Sequence, residues 1–101
     1  MTTTVDRRDA DDRFEIRVDG TLVGFTQYVH RARRYIFVHT EIDPGHEREG
    51  LGSTLIRGAL DAVRAEGERI VPLCPFVAGW IDKHPDYCDL VDHDLFEPRL
   101  A

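Results

Sequence analysis

No apolar run in these 101 residues approaches the ~18–20 residues that a membrane-crossing helix needs. The first twelve residues, Met-Thr-Thr-Thr-Val-Asp-Arg-Arg-Asp-Ala-Asp-Asp, hold no apolar core of a secretory leader. Both absences lead to the expectation of a cytoplasmic protein. Cysteine is scarce as well: Cys74 and Cys88 are too few for a thiolate metal site, and a reducing compartment disfavours a disulfide between them. The five histidines show no helical metal-ligand spacing, so no metal is expected. Positive charge is in deficit, with a net charge of −6, which argues against nonspecific nucleic-acid binding. Internal repeats and low-complexity stretches are missing too.

What is present suits one small domain with one core. Residues 1–12 are polar and read as a flexible tail, 13–92 as the domain, and 93–101 as a second tail. Phe14, Ile16 and Val18 alternate with Glu15 and Arg17, the two-residue period of a half-buried strand. Asp19-Gly20 then reads as a hairpin turn, and Leu22 to Val29 as the partner strand. His30 to Arg34 is a polar connection, and Tyr35 to Ile42 is the strongest strand signal in the chain. Three strands joined by short turns imply an antiparallel meander.

Asp43-Pro44-Gly45 ends that strand. Leu51, Leu55, Ala59, Ala62 and Val63 then recur at helical steps, with Gly67 placed as a stop. Arg69 to Phe76 reads as a short buried strand in which Pro72 and Pro75 limit pairing. Val77 to Lys83 gives one or two helical turns ending before Pro85, and Asp86 to Val91 a further short helix. The fold class is therefore α/β, or α+β: a mixed sheet in the order β-β-β-α-β-α, its helix on one face and its last strand parallel to the third.

Chemistry is expected where the long helix opens at Gly50-Leu51-Gly52. A helix start leaves backbone N–H groups unpaired and carries partial positive charge. Glycines there let an anion approach the backbone. Ser53 and Thr54 carry hydroxyl donors, and Arg48 adds a cation. By itself the Gly-x-Gly is equally an ordinary loop-to-helix turn. A P-loop is excluded because no Gly-Lys occurs, and a dinucleotide fingerprint because Leu55 stands where its third glycine belongs. Arg31, Arg33 and Arg34 form a basic cluster and the C-terminal part is acidic; each reads most simply as a solvated face.

The runs His39-Thr-Glu41, His46-Glu-Arg-Glu-Gly-Leu-Gly-Ser53, Val71-Pro-Leu-Cys-Pro-Phe76 and His84-Pro-Asp-Tyr87 together resemble the small single-domain GNAT-like acetyltransferases. The resemblance spans roughly Phe14 to Val91. It implies a GNAT core truncated on the substrate side, with acetyl-coenzyme A as cofactor. It also implies that the loop Glu47, Arg48, Glu49, Gly50, Leu51 and Gly52, continuing into Ser53 and Thr54, wraps the pyrophosphate. The strand Val38–Ile42 would lie along the pantetheine arm, with the backbone of Thr40 to Ile42 providing hydrogen bonds. Larger GNAT enzymes usually carry Arg or Gln, then Gly, where this chain has Glu47 and Arg48, which leaves Arg48 to supply the charge.

Cys74 falls where the two central strands of that family splay around the thioester. A thiol there would accept acetyl or protonate the departing thiolate; an inert core cysteine is the alternative. Glu41 and His39 share a strand face, and either would deprotonate an incoming ammonium, or face solvent as ordinary strand-end residues. Phe76 and Trp80 read as core, and His84 as a residue bonding helix C-terminal carbonyls. The expected function is acetyl transfer to an amine of a small molecule or protein. A binding or sensing module for acetyl-coenzyme A with little turnover is the alternative. No strong apolar surface stripe announces a dimer, so a monomer is expected, with neither nucleic acid nor membrane as partner.

Overall fold

The computed structural model describes residues 2–46 and 50–93. Five strands form one sheet in sequence order: β1 (Thr3–Arg8), β2 (Arg13–Val18), β3 (Thr21–Arg31), β4 (Arg34–Ile42) and β5 (Arg69–Pro72). The first four are antiparallel neighbours, and β5 runs parallel to β4. Between β4 and β5 the chain makes helix α1 (Leu51–Ala65), and after β5 helix α2 (Pro75–Lys83). Short 3-10 turns occupy Asp9–Asp11, Pro44–His46 and Pro85–Leu90.

The meander, the crossover helix and the parallel last strand follow the sequence pattern. Two features do not. Residues 3–8, expected to be a flexible tail, pair along the whole of β2. The strand carries one aliphatic side chain, Val5, which packs against Gly58 of α1. Its Arg7 reaches the hydroxyl of Tyr35 and the carboxylate of Glu66. The expected polar connection at His30–Arg34 is a two-residue turn, Ala32-Arg33, with both residues at positive φ. That geometry matches the right-handed twist of the hairpin strands.

Residues paired across the sheet share a face. Phe14 and Ile16 of β2 point to the helices, as do Thr26 and Tyr28 of β3. In β4 the register steps from Gln27↔His39 to Tyr28↔Phe37, so Val38 has no partner and the alternation reverses there. Tyr35, Phe37, Thr40 and Ile42 consequently share the helix face, while Ile36, His39 and Glu41 share the other. Leu55, Ile56, Leu60 and Val63 of α1 fill the core against this face, with Val77 and Ile81 of α2 beside them. Gly67 closes α1 with φ +72, as the N–H of Gly67 bonds Arg64 O at 3.0 Å and that of Glu68 bonds Val63 O at 3.3 Å.

Candidate active site

Among the described residues nothing closes over the N-terminus of α1. Gly50 caps it in the left-handed region, φ 71, and no side chain caps the helix. The amide of Thr54 is bonded within the helix, to Gly50 O at 3.1 Å. The amides of Leu51, Gly52 and Ser53 precede that bond and have no intrahelical acceptor. A cleft of about 350 Å³ opens against these groups, lined by Thr40, Ile42, Gly50, Gly52, Ser53 and Phe76. It brings the end of β4, the start of α1 and the start of α2 to one place.

Each wall has a local cause. A Cβ on Gly52 would stand 2.6 Å from Phe76 Cζ, so the glycine leaves the space that the ring edge fills. Phe76 was expected in the core, but it stays 46% exposed and forms a cleft wall. It sits in the first turn of α2, facing α1 across the sheet end rather than the sheet itself. Trp80, one turn later, is buried as expected, and its indole N–H donates to Ser53 Oγ at 2.8 Å. That bond fixes the Ser53 oxygen as an acceptor and leaves its proton for another partner. Thr54 behaves differently from Ser53: its hydroxyl donates back to Gly50 O at 3.2 Å, and it does not line the cleft. Leu51 is buried and does not itself line the cleft. Glu47, Arg48 and Glu49, the remaining residues of the expected anion loop, lie outside the described residues.

The β4–β5 ladder ends at Phe37↔Pro72, since proline has no amide hydrogen to continue it. One further bond, Cys74 N–H to Phe37 O at 2.8 Å, closes the junction. Beyond it the two strands part, and the β4 backbone from Val38 to Ile42 has no strand partner on that side. Cys74 caps α2 at this fork. Its thiol is buried and lies 3.4 Å from Thr40 Oγ1, which in turn is 2.9 Å from Thr26 Oγ1. The hydroxyl of Thr40 stands between Cys74 and the cleft, which Cys74 itself does not line.

His39 and Glu41 come together as expected, Nε2 to Oε1 at 3.5 Å, both well exposed on the sheet face away from the helices. Glu41 lines a second hollow of about 420 Å³ that shares Thr40 and Ile42 with the cleft, so the two faces meet at the fork. His84 bonds the carbonyl of Trp80 through Nδ1 at 2.7 Å, the helix-end role read from sequence. Tyr87 takes no part in the fork: its hydroxyl donates to Asp61 at 2.7 Å and accepts from Arg57. Burial, then the bond to Asp61, raises its pKa.

A family model for GCN5-related N-acetyltransferases matches residues 13–90. The chain belongs to that family. Members use acetyl-coenzyme A as acetyl donor. The fold is that of known structures as well. It resembles the solution structure of a GCN5-like putative N-acetyltransferase from Staphylococcus aureus with a TM-score of 0.65 and 17% identity, covering 87% of this chain and 86% of that one. It also resembles the PaiA N-acetyltransferase of Thermoplasma acidophilum, solved in complex with coenzyme A, with a TM-score of 0.53 and 18% identity, over 73% of this chain and 48% of that one. Ard1 from Thermoplasma volcanium is similar at a TM-score of 0.52 and 23% identity, covering 59% of this chain and 41% of Ard1. No curated sequence relative was found at significant similarity. Among the described residues no helix is long and apolar enough to cross a membrane.

Proposed function

We propose that this protein binds acetyl-coenzyme A in the cleft between β4 and the N-terminus of α1 and transfers the acetyl group to an amine. The observation that carries the reading is the start of α1, without a side-chain cap among the described residues, at a cleft whose far wall is the end of β4 beyond its pairing with β5. The fit is chemical as well as spatial. Three backbone donors and a helix dipole suit a pyrophosphate. The parted strand edge offers amide and carbonyl groups to an amide-bearing chain, and Phe76 and Ile42 offer apolar walls.

Bound there, acetyl-coenzyme A supplies an activated acetyl thioester. The amides of Leu51, Gly52 and Ser53 hold the anionic end, and the Ser53 hydroxyl adds a donor because Trp80 occupies only its oxygen. Backbone amides of β4 between Thr40 and Ile42 stabilise charge at the acetyl oxygen. An amine arriving from the uncovered sheet face meets Glu41 and His39, which accept its proton. Cys74 supports the opposite side of the fork through Thr40.

One observation favours the second reading, a binding or sensing module with little turnover. The Cys74 thiol is 3% exposed, and no described phenol reaches the fork to protonate a leaving thiolate.

The test is a titration of coenzyme A and of acetyl-coenzyme A followed by amide chemical shifts, with calorimetry for affinity. Shifts confined to residues 39–56 and 72–84 are expected, and their absence sinks both readings. Gly50→Val is expected to remove binding while the protein stays folded, because a branched residue does not accept φ 71 and its side chain would enter the cleft mouth. Turnover with simple amines separates transferase from sensor.

A further inference from the structure

At the end of the sheet opposite the cleft, three arginines stand in register across three adjacent strands. Arg31 of β3 pairs directly with Arg34 of β4, and Arg34 pairs directly with Arg69 of β5. Directly paired residues point to one face, so three guanidinium groups share a row. Like charges placed opposite each other destabilise a sheet. The arrangement stands out in a chain of net charge −6. The turn linking β3 to β4 adds Arg33, which with Ala32 is held at positive φ without glycine.

A hollow of about 500 Å³ lies against this row, lined by Ala32, Arg33, Arg34, Gly67, Arg69, Asp92 and His93. Asp92 is the carboxylate in it and pairs with Arg34. Arg69 bonds only a backbone carbonyl, that of Asp89 at 3.0 Å, and the side chain of Arg33 has no partner among the described residues. Among the described residues the lining holds three guanidiniums and one carboxylate, with His93 beside them and the Asp89 carboxylate acting on Arg69 from outside the hollow. From this we infer an anion site for a phosphate group, held by the forked donors of Arg33 and Arg69 and backed by Arg34. Guanidinium forks match two phosphate oxygens at once, and the excess of positive charge among the described lining residues suits an anion. The site is separate from the cofactor cleft: Arg34 and Thr40 lie roughly 20 Å apart along β4 at the rise of a strand.

The test uses the whole chain and inorganic phosphate, with sodium chloride at matched ionic strength as the control. Saturable shifts are expected at the amides of Ala32, Arg33, Gly67, Arg69 and His93. Shifts that grow without saturating, or that chloride reproduces, overturn the site. Arg33→Gln combined with Arg69→Gln is expected to weaken phosphate binding by about tenfold or more in a protein that stays folded, and Arg33→Lys by less, since it keeps the charge but loses the fork. Wild-type affinity in the folded double variant overturns the proposal. Phosphate can come free or carried on the cofactor, so the titration is repeated with coenzyme A present. Unchanged phosphate binding supports a separate site; competition makes the row part of the cofactor site and overturns it. Failure here leaves the α1 cleft untouched, because that reading is tested by shifts at other residues.

Discussion

Glu15 lies on the sheet face away from the helices, where strand alternation puts it, yet only 2% of it is exposed. Arg8, Arg13 and Arg17 close over it, with contacts of 3.1, 2.6 and 2.8 Å. Arg13 also stacks above the Phe25 ring at 4.6 Å. Burial pushes the carboxyl pKa up, but the three arginine hydrogen bonds outweigh it and hold the pKa at about 2, against an ordinary 4.5. A carboxyl lowered on folding stabilises the native state fully above its unfolded pKa and loses that effect as pH falls toward its folded pKa. The shift corresponds to roughly 3 kcal/mol at neutral pH. Glu15→Gln is therefore expected to lower the melting temperature at pH 7, with the gap from wild type closing between about pH 4.5 and pH 2. A gap independent of pH would assign the loss to packing instead. The alternation of Phe14, Glu15 and Ile16 was legible in the sequence, but the arginine cover was not, because Arg8 comes from a strand with almost no apolar signal.

Among the elements, α1 was the most legible, since six of its buried positions recur at helical steps and glycine stands at both ends. β1 was hidden for the converse reason. An edge strand needs backbone pairing and threonine-rich extended propensity, and with helix contact on one side it needs only Val5 to anchor it. The reversal of alternation at Val38 was equally hidden, since a bulge is written in the register of two strands and not in the residues of one. Phe76 was misplaced because an apolar run around prolines looks the same whether the ring enters the core or walls a cleft. The α1–α2 contact gives its own prediction. Gly52→Ala adds helix propensity but puts a methyl 2.6 Å from the end of the Phe76 ring, a side chain free enough to swing. The variant is expected to fold with near wild-type stability and to bind coenzyme A about tenfold more weakly, about 1.4 kcal/mol, because the displaced ring narrows the cleft. Gly52→Ala with Phe76→Ala recovers affinity if the ring is the obstacle. Calorimetry on the pair decides, and a single variant binding like wild type removes Phe76 from the cofactor wall.

The molecule as a whole keeps both α-helices on one face of its sheet, and the fork between β4 and β5 opens to both faces. On the helix side stand Thr40 and Cys74; on the other stand His39 and Glu41, beside the exposed Val29 and Val38. A cofactor gripped at α1, as proposed, would occupy the first side and leave the second to an acceptor amine. This division orders the effects of substitution. Under the proposed function, Glu41→Gln removes the carboxylate that would take the amine proton and is expected to lower kcat/KM by about a hundredfold or more, the scale of general base catalysis, while coenzyme A affinity holds. Cys74→Ala acts from the cofactor side. It breaks the thiol contact to Thr40, leaves the free amides of α1 intact and so preserves binding; its loss of rate is expected to appear as a fall in kcat, with KM for the amine unchanged. Wild-type transfer in Cys74→Ala would make the thiol a packing group. Wild-type transfer in Glu41→Gln, with His39→Gln also silent, would move the proton acceptor off β4 and close the uncovered face as the route of the amine.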